Sequence, residues 1–456
     1  MFACLRVAAL NYKLACKAAR GRLYTTRIRP RWPVRMMASA HIVVHYHELW
    51  LKRGNRRFFL HKLREALRRA LDGIAVSRIS QPADRLIIEI ADVASVDEAL
   101  QRLTRVSGIS HLAIARVLRR SDLHADPLET LRDAAWEEIR NEQFASFAVR
   151  ARRSDKGFPL NAMAVEREVG GYLFNKLQAE GRNVRVDLKV PDLTCRIEIT
   201  RGPLLVYARR IIGPGGLPPN TAGRLVCLLS GGFDSAVAAY KMMKRGAHLS
   251  FVHFWGGGAA AGESSIHVAR QLVERMLPWQ FTAKLYLVPF EPLQREIAAR
   301  APEAFRILLY RRLMLRVAER IALRGGGKGV ITGDSLGQVA SQTLQNLQAV
   351  GAIARLPLYR PLIGDDKLEI QEIARHIGTY DISEQPFHDC CPVFQPKSPA
   401  LFATAEALDA AEATLDVPSL VDRALRTLNV ERYRYAQGKA VRTDVARTNA
   451  KHTTTA

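Results

Sequence analysis

Six consecutive residues, Ser230-Gly231-Gly232-Phe233-Asp234-Ser235, set two hydroxyls, two glycines and a carboxylate between flanks of opposite character. Before them runs Leu225-Val226-Cys227-Leu228-Leu229, short, apolar and uninterrupted, the pattern of a buried parallel strand. After them Ala236 to Lys244 consists of good helix formers and is closed by Gly246. A strand, a glycine turn and a helix N-terminus together make an anion site, because backbone N–H groups point outward and the helix dipole favours negative charge. The glycines let the main chain approach a phosphate that a Cβ would hold off. No lysine follows them, which excludes the Walker pattern. Asp234, a carboxylate beside such a phosphate site, is suited to hold Mg²⁺.

Two further stretches carry chemistry. Arg150-Ala151-Arg152-Arg153-Ser154-Asp155-Lys156 leaves the strand around Phe147-Ala148-Val149 with four cations, Arg150, Arg152, Arg153 and Lys156, suited to phosphodiester contacts. The tandem Cys390-Cys391 lies between Pro386 and Pro392 with His388 and Asp389 beside it, a poor setting for a packed core and a good one for a reactive thiol. Cys227, mid-strand, and Cys195, on another strand, read as structural. With no Cys-x-x-Cys pair among the six cysteines, neither a disulfide scaffold nor a Cys-rich zinc site is expected, and a reducing, cytoplasmic setting fits.

These residues need a scaffold. Past Leu225 the pattern alternates strand and helix, with later strands at Leu249–Phe254, Ala283–Val288 and Gly329–Thr332. That predicts a doubly wound parallel sheet with ligand at the carboxyl ends of its strands. Earlier, Ile42-Val43-Val44 and Leu86–Ile90 read as strands, and 58–71 and 96–106 as helices, a small split βαβ sandwich. A helix over 127–141, a strand at 146–150, a helix near 165–180 and strands at 184–188, 194–199 and 204–207 follow. Gly213 to Asn220 is dense in Gly and Pro and reads as a linker. Residues 1 to about 38 are basic and hold no acid, the first in the chain being Glu48. The segment resembles a transit peptide, an extension upstream of a start at Met36-Met37 is equally natural, and it is expected to lie outside the fold.

At 456 residues the chain is long enough for two to four domains. Its apolar runs are strand-sized, which excludes a membrane span. The formal charge of +24 is spread along the whole chain rather than gathered on one amphipathic helix, so nucleic acid is favoured over membrane as the anionic partner.

The hexapeptide resembles the pyrophosphate loop of the PP-loop ATP pyrophosphatases, which split ATP between the α and β phosphates and transfer AMP to an oxygen. The basic stretch with Val165-Glu166-Arg167-Glu168-Val169-Gly170-Gly171 resembles the THUMP RNA-binding module. Together with Gly215-Gly216-Leu217-Pro218, Thr332–Thr343 and Cys390, in this order from about Ile42 to Pro399, they make the chain similar to the tRNA 4-thiouridine synthetase family. The resemblance implies an α/β fold: a ferredoxin-like domain over 39–99, THUMP over 100–208, a linker over 209–222 and a PP-loop domain over 223–400. A disordered extension over 1–38 and a helical and disordered tail over 401–456 complete the expected division.

The same resemblance implies ATP contacts at Leu228, Leu229, Ser230, Gly231, Gly232, Ser235, His253, Phe254, Arg311, Gly333 and Gln342. Asp234 is the implied Mg²⁺ ligand and Cys390 the sulfur-handling residue. Some members have lysine at the Arg311 position. The implied reaction is adenylation of a uridine O4 in tRNA, then displacement of AMP by persulfide sulfur. A cysteine desulfurase is implied as donor, a sulfur-carrier protein of thiazole synthesis as a further partner, and a homodimer as the assembly. The family's long form carries a rhodanese domain after Cys390, for which the 65 residues past Cys391 are too few. The persulfide is then expected on Cys390 itself, or sulfide arrives free; Cys391 is the expected resolving thiol, and an iron–sulfur cluster would need a third well-placed cysteine. The rivals are another PP-loop ligase, disfavoured by THUMP and Cys390, and an idle tRNA-binding protein, disfavoured by the intact loop.

Overall fold

Strand β1 (Ala40–Tyr46) carries Ile42, Val43 and Val44, all fully buried, so both faces of the strand are covered. It lies at the middle of a five-stranded sheet ordered β10-β4-β1-β3-β2, with β2 (Val76–Ser80), β3 (Leu86–Ile90), β4 (Ile109–Ile114) and β10 (Ile211–Ile212). Helices α1 (Arg56–Ala70) and α2 (Val96–Leu103) complete the chain order strand, helix, strand, strand, helix, strand of a ferredoxin-like domain. In α1 the buried residues are Phe59, Leu60, Leu63, Ala66, Leu67 and Ala70, a stripe at helical spacing. This computed structural model describes residues 40–46, 48, 54–82, 84–123, 126–256, 258–385 and 398–443, so the expected extension over 1–38 lies outside them.

The expected domain boundary near residue 100 is corrected. β4 pairs with β1 from Ile42↔Ile114 to Tyr46↔Ile109, so the first sheet continues to residue 114. β10, within the stretch expected to be linker, pairs with β4 in the same sheet. Sheet membership is a long-range choice, and an apolar run such as 109–114 does not encode its partner.

A second five-stranded sheet, β5-β9-β8-β6-β7, joins β5 (Arg116–Leu118), β6 (Ser146–Arg153), β7 (Arg185–Val186), β8 (Leu193–Ile199) and β9 (Leu204–Tyr207). Helices α3 (Pro127–Ile139) and α4 (Ala162–Ala179) bury Leu131, Trp136, Ile139, Val165, Val169, Leu173 and Leu177 in one core with Phe147, Cys195 and Ile197. The strand expected over 184–188 shortens to two residues, and Val186 and Leu188 are exposed. The two sheets meet at Glu198 of β8. His45 lies 2.8 Å from its Oε1, Tyr207 Oη donates to the same oxygen (2.6 Å) and Arg85 Nε donates to Oε2. Burial opposes the charge, but His45, Arg85 and Tyr207 outweigh it and hold this carboxyl well below the usual range. Removing one partner of such a buried pair costs about 3–5 kcal/mol.

The remaining chain forms a seven-stranded sheet, β15-β14-β11-β12-β13-β16-β17. Its strands are β11 (Arg224–Leu228), β12 (His248–Trp255), β13 (Thr282–Pro289), β14 (Val330–Ile331), β15 (Leu358–Tyr359), β16 (Asn429–Ala436) and β17 (Lys439–Arg442). Neighbours from β15 to β13 are parallel. The helices are α5 (Phe233–Lys244), α6 (Gly258–Met276), α7 (Glu291–Arg300), α8 (Arg306–Arg324), α9 (Leu344–Gly351), α10 (Lys367–Ile377), α11 (Tyr380–Ser383), α12 (Ala405–Glu412) and α13 (Val417–Thr427). β12 and β13 build outward on one side of β11, and β14 returns to its other side. The strand order therefore reverses at β11, and the crevice beyond its carboxyl end is the ligand position of such sheets.

The tail expected over 401–456 as helical and disordered is helical in α12 and α13, but its two strands belong to the sheet, and residues 444–456 lie outside the described residues. Residues 405–442 supply α12, α13 and two antiparallel strands, with β16 paired to β13 from Thr282↔Arg434 to Leu287↔Asn429. Val430, Arg432 and Arg434 alternate with Glu431, Tyr433 and Tyr435, and only the latter three are buried, a period of two inside a polar composition. Arg312 of α8, fully buried, donates to Asp409 (2.6 Å), Glu412 (3.0 Å) and the Ala349 carbonyl (2.9 Å), so this stretch closes a core. By contacts the chain forms two compact units, one of residues up to 50, 74–104 and 109–215, the other of 51–73, 105–108 and 216 onward. No helix among the described residues is long and apolar enough to cross a membrane.

Candidate active site

β11 ends at Leu228, and Leu229 N still donates to the Val252 carbonyl (2.8 Å), holding the chain straight into the loop. Ser235 then folds the hexapeptide on itself. Its buried hydroxyl accepts from Ser230 N (3.2 Å), lies 3.1 Å from the Ser230 hydroxyl and donates to the Gly232 carbonyl (3.0 Å). Gly232 is the N-cap of α5 and no side chain caps the helix. The first-turn N–H groups, which have no intrahelical acceptors, are thus left for a ligand, and the helix dipole adds to their pull on an anion.

Gly333 follows β14 and touches this turn. A Cβ there would stand 2.8 Å from Ser235 N and 2.9 Å from Ser235 Cα, so only glycine lets the two strand ends come this close. Next to it Asp334 is buried among donors: Arg311 of α8, Thr332 Oγ1 (2.7 Å) and Arg360 Nε (3.3 Å), with Gln342 Nε2 at 3.5 Å. Burial would raise its pKa, but Arg311, Thr332 and Arg360 together hold the carboxyl below its ordinary range. Arg311 is fixed a second time by the Ser341 carbonyl (2.8 Å). At the loop's other edge Asp234 accepts from Lys367 Nζ (3.2 Å) and Gln338 Nε2 (3.1 Å). Lys367 also lies 4.3 Å from the Phe233 ring centroid, and Tyr380 packs on the same ring.

The fold thus gathers Leu228, Leu229, Ser230, Gly231, Gly232, Asp234, Ser235, Arg311, Gly333 and Gln342 at one crevice. His253 and Phe254 reach the same strand end but turn inward. His253 is buried, with Nδ1 donating to the Leu229 carbonyl (2.9 Å) and Nε2 3.0 Å from Ser265 Oγ. Phe254 packs edge-on against Phe290. Their side chains shape the strand end, leaving main-chain atoms as what they can offer a ligand. Cys227 and Cys195 are core residues, and burial pushes the Cys227 thiol up to about 12 and the Cys195 thiol up as well.

Sequence reasoning passed over Asp334, Gln338, Arg360 and Lys367. Asp334 and Gln338 lie inside the stretch Thr332–Thr343, but nothing local marks them as charge partners. Lys367 lies within the capping box Asp366–Glu369, which marks a helix start and not a site. Cys390 and Cys391 lie outside the described residues. Of the described chain, Gln385 follows α11, whose Tyr380 packs on Phe233, and the Ala400 carbonyl and Ala403 N bond to the buried side chain of Asn346 in α9 (2.8 and 2.9 Å).

Of the four cations expected to meet RNA, Arg152 and Lys156 are exposed. Arg150 donates to the Leu188 carbonyl, and Arg153 to the Phe158 (3.1 Å) and Leu160 (3.0 Å) carbonyls. Arg150, Arg152 and Arg153 stand on β6 itself rather than in the loop after it.

Comparison with known proteins finds three family models in chain order: the ThiI ferredoxin-like domain over residues 41–113, the THUMP domain over 128–209, and the thiamine biosynthesis protein (ThiI) over 220–417. The chain is 41% identical over 399 residues to a "Probable tRNA sulfurtransferase" of Thermus thermophilus, covering 87% of this chain and 95% of that one. A protein of the same description from Macrococcus caseolyticus is 35% identical over 402 residues, with coverages of 87% and 97%. Among solved structures, a 4-thiouridine synthetase–RNA complex with bound ATP superposes with a TM-score of 0.76 at 30% identity, covering 86% of this chain and 99% of that one.

Proposed function

The chain belongs to the ThiI family of tRNA sulfurtransferases, and from that premise we propose that it transfers sulfur to a uridine of tRNA at the expense of ATP, forming 4-thiouridine. The observation that carries this reading is the uncapped start of α5 with Arg311 and Lys367 on either side of it. Phosphates of ATP would accept from the first-turn N–H groups, where the glycines leave room for them. The uridine O4 attacks the α-phosphorus, the α–β bond breaks and pyrophosphate leaves. Arg311 and Lys367 offset the charge that grows on the departing oxygens. Oxide is a poor leaving group from C4 and AMP a good one, which is the chemical reason for spending ATP.

Sulfur arrives as a persulfide on Cys390. Its terminal sulfur attacks C4 and AMP leaves with the C4–O bond. The Cys391 thiolate then attacks the Cys390 sulfur, breaking the S–S bond, leaving sulfur on the base and a Cys390–Cys391 disulfide for external thiols to reduce. A cysteine desulfurase charges Cys390, and a sulfur-carrier protein of thiazole synthesis is a second acceptor, as the description of the matching family suggests. We place this chemistry in the cytoplasm, on a homodimer, with Arg152 and Lys156 holding the tRNA backbone.

Among the described residues no group of three or more metal-ligating side chains occurs, which suits an ion held mainly by phosphates. Asp234 is the carboxylate that would hold Mg²⁺ there, and the ion would neutralise charge on the phosphates. The test is incubation with unmodified tRNA, ATP, Mg²⁺, cysteine and a desulfurase, followed by mass spectrometry of digested nucleosides and a pyrophosphate assay. Formation of 4-thiouridine with matching pyrophosphate is expected. Pyrophosphate without thiolated nucleoside would favour another PP-loop ligase, and neither product would favour a tRNA-binding role alone.

A further inference from the structure

Asp334 has no part in the reaction above, yet four side chains converge on it. Oδ1 accepts from Arg311 and lies 3.5 Å from Gln342 Nε2; Oδ2 accepts from Thr332 Oγ1 (2.7 Å) and Arg360 Nε (3.3 Å). Its side chain is 6% exposed, so these bonds are made away from water and count for more than surface pairs. Two guanidinium groups share this one carboxylate, and each has one further anchor: the Ser341 carbonyl for Arg311 (2.8 Å) and the Leu347 carbonyl for Arg360 (3.0 Å). Without the carboxylate the two cations would repel across a buried pocket and turn toward solvent. The preceding residue, Gly333, abuts the turn at Ser235, so whatever Asp334 fixes is fixed relative to the phosphate-binding N–H groups.

We infer that Asp334 is a positioning residue for ATP cleavage, acting through Arg311: it sets the plane of that guanidinium so that its remaining N–H donors meet the phosphates already aligned. The inference rests on the ATP chemistry proposed above. An arginine clamped by a carboxylate on one side and a carbonyl on the other loses little further freedom when a phosphate arrives, and such alignment acts on the chemical step more than on ground-state binding. Arg360 shares the carboxylate but also bonds to the carbonyl of Leu347 in α9, so a purely architectural role for Asp334 would run through Arg360 instead.

The experiment is a pair of double-mutant cycles on the full chain with ATP and tRNA, reading kcat and KM for pyrophosphate release. Asp334→Asn is expected to lower kcat about 30-fold or more while KM for ATP moves by less than about 3-fold. In an Arg311→Gln background the same substitution should cost less than about 3-fold, because its route of action is gone. In an Arg360→Gln background it should keep most of its effect. Should Asp334→Asn fail to fold, Thr332→Val removes one donor to the same carboxylate and enters the same cycles with an expected loss of about 3- to 10-fold. Losses that multiply with Arg311→Gln, or that vanish with Arg360→Gln, would overturn the inference while leaving the ATP reading intact. A wild-type chain that binds no ATP would overturn both.

Discussion

Gly333→Ala is the most direct probe of how the crevice is built. The added Cβ would stand 2.8 Å from Ser235 N, 2.9 Å from Ser235 Cα and 3.0 Å from the Asp234 carbonyl carbon, all main chain. Ordinary contact begins near 3.4 Å, so the nearest approach is about 0.6 Å too short. A flexible side chain could swing aside, but this backbone is held by the hydroxyl bonds of Ser235 and by the first turn of α5. Overpacking of this kind costs about 1–3 kcal/mol. If the loop yields, that energy is taken from phosphate binding, and at about 1.4 kcal/mol per tenfold the affinity for ATP falls by about 5- to 150-fold. If it does not yield, the same energy appears as a lower Tm. Titration with ATP and thermal unfolding of the variant measure the two together. Unchanged affinity and unchanged Tm would refute the argument that strand β14 and helix α5 meet with room for hydrogen only.

Asp234→Ala should abolish pyrophosphate release while tRNA binding persists, and Lys367→Met should lower release by about 100-fold; both are read in the pyrophosphate assay. Arg152→Glu with Lys156→Glu should weaken tRNA binding and reduce the slope of log affinity against log salt by about 2, whereas Arg153→Glu, which breaks two carbonyl contacts, should lower Tm. Cys390→Ser should release pyrophosphate but form no 4-thiouridine, and Cys391→Ser should complete one turnover and stall, as nucleoside mass spectrometry would show. Burial, with the charge of His45 and Arg210 adding to it, depresses His111 to about 3. The folded chain then keeps this ring neutral where the unfolded chain, at the ordinary 6.5, takes up a proton, so the stability it contributes is full above about 6.5 and falls as pH drops toward 3. Tm measured from pH 7.5 to 5 should decline in the wild type and decline less in His111→Gln.

The local chain determined a good part of this protein by itself. An apolar run, two glycines and a string of helix formers around Ser230–Ser235 specify strand, turn and helix start, because each depends on near neighbours in sequence. For the same reason the buried stripe of α1, the strand of Ile42-Val43-Val44 and the structural character of Cys195 and Cys227 were legible. What only the tertiary structure decided are matters of pairing between distant segments. Leu225–Leu228 does not say that it lies at the strand-order reversal; that follows from β12 on one side and β14, a hundred residues later, on the other. Residues 109–114 do not name β1 as partner, and the polar alternation of 429–436 shows its use only once β13 lies beside it. Asp334 was an unremarked carboxylate within a motif until Arg311, Gln342 and Arg360 closed on it, and Lys367 a helix-start lysine until it met Asp234. Secondary structure is fixed by local preference and periodicity, but which charges become buried neighbours is fixed by packing, and packing is where this crevice acquires its cations.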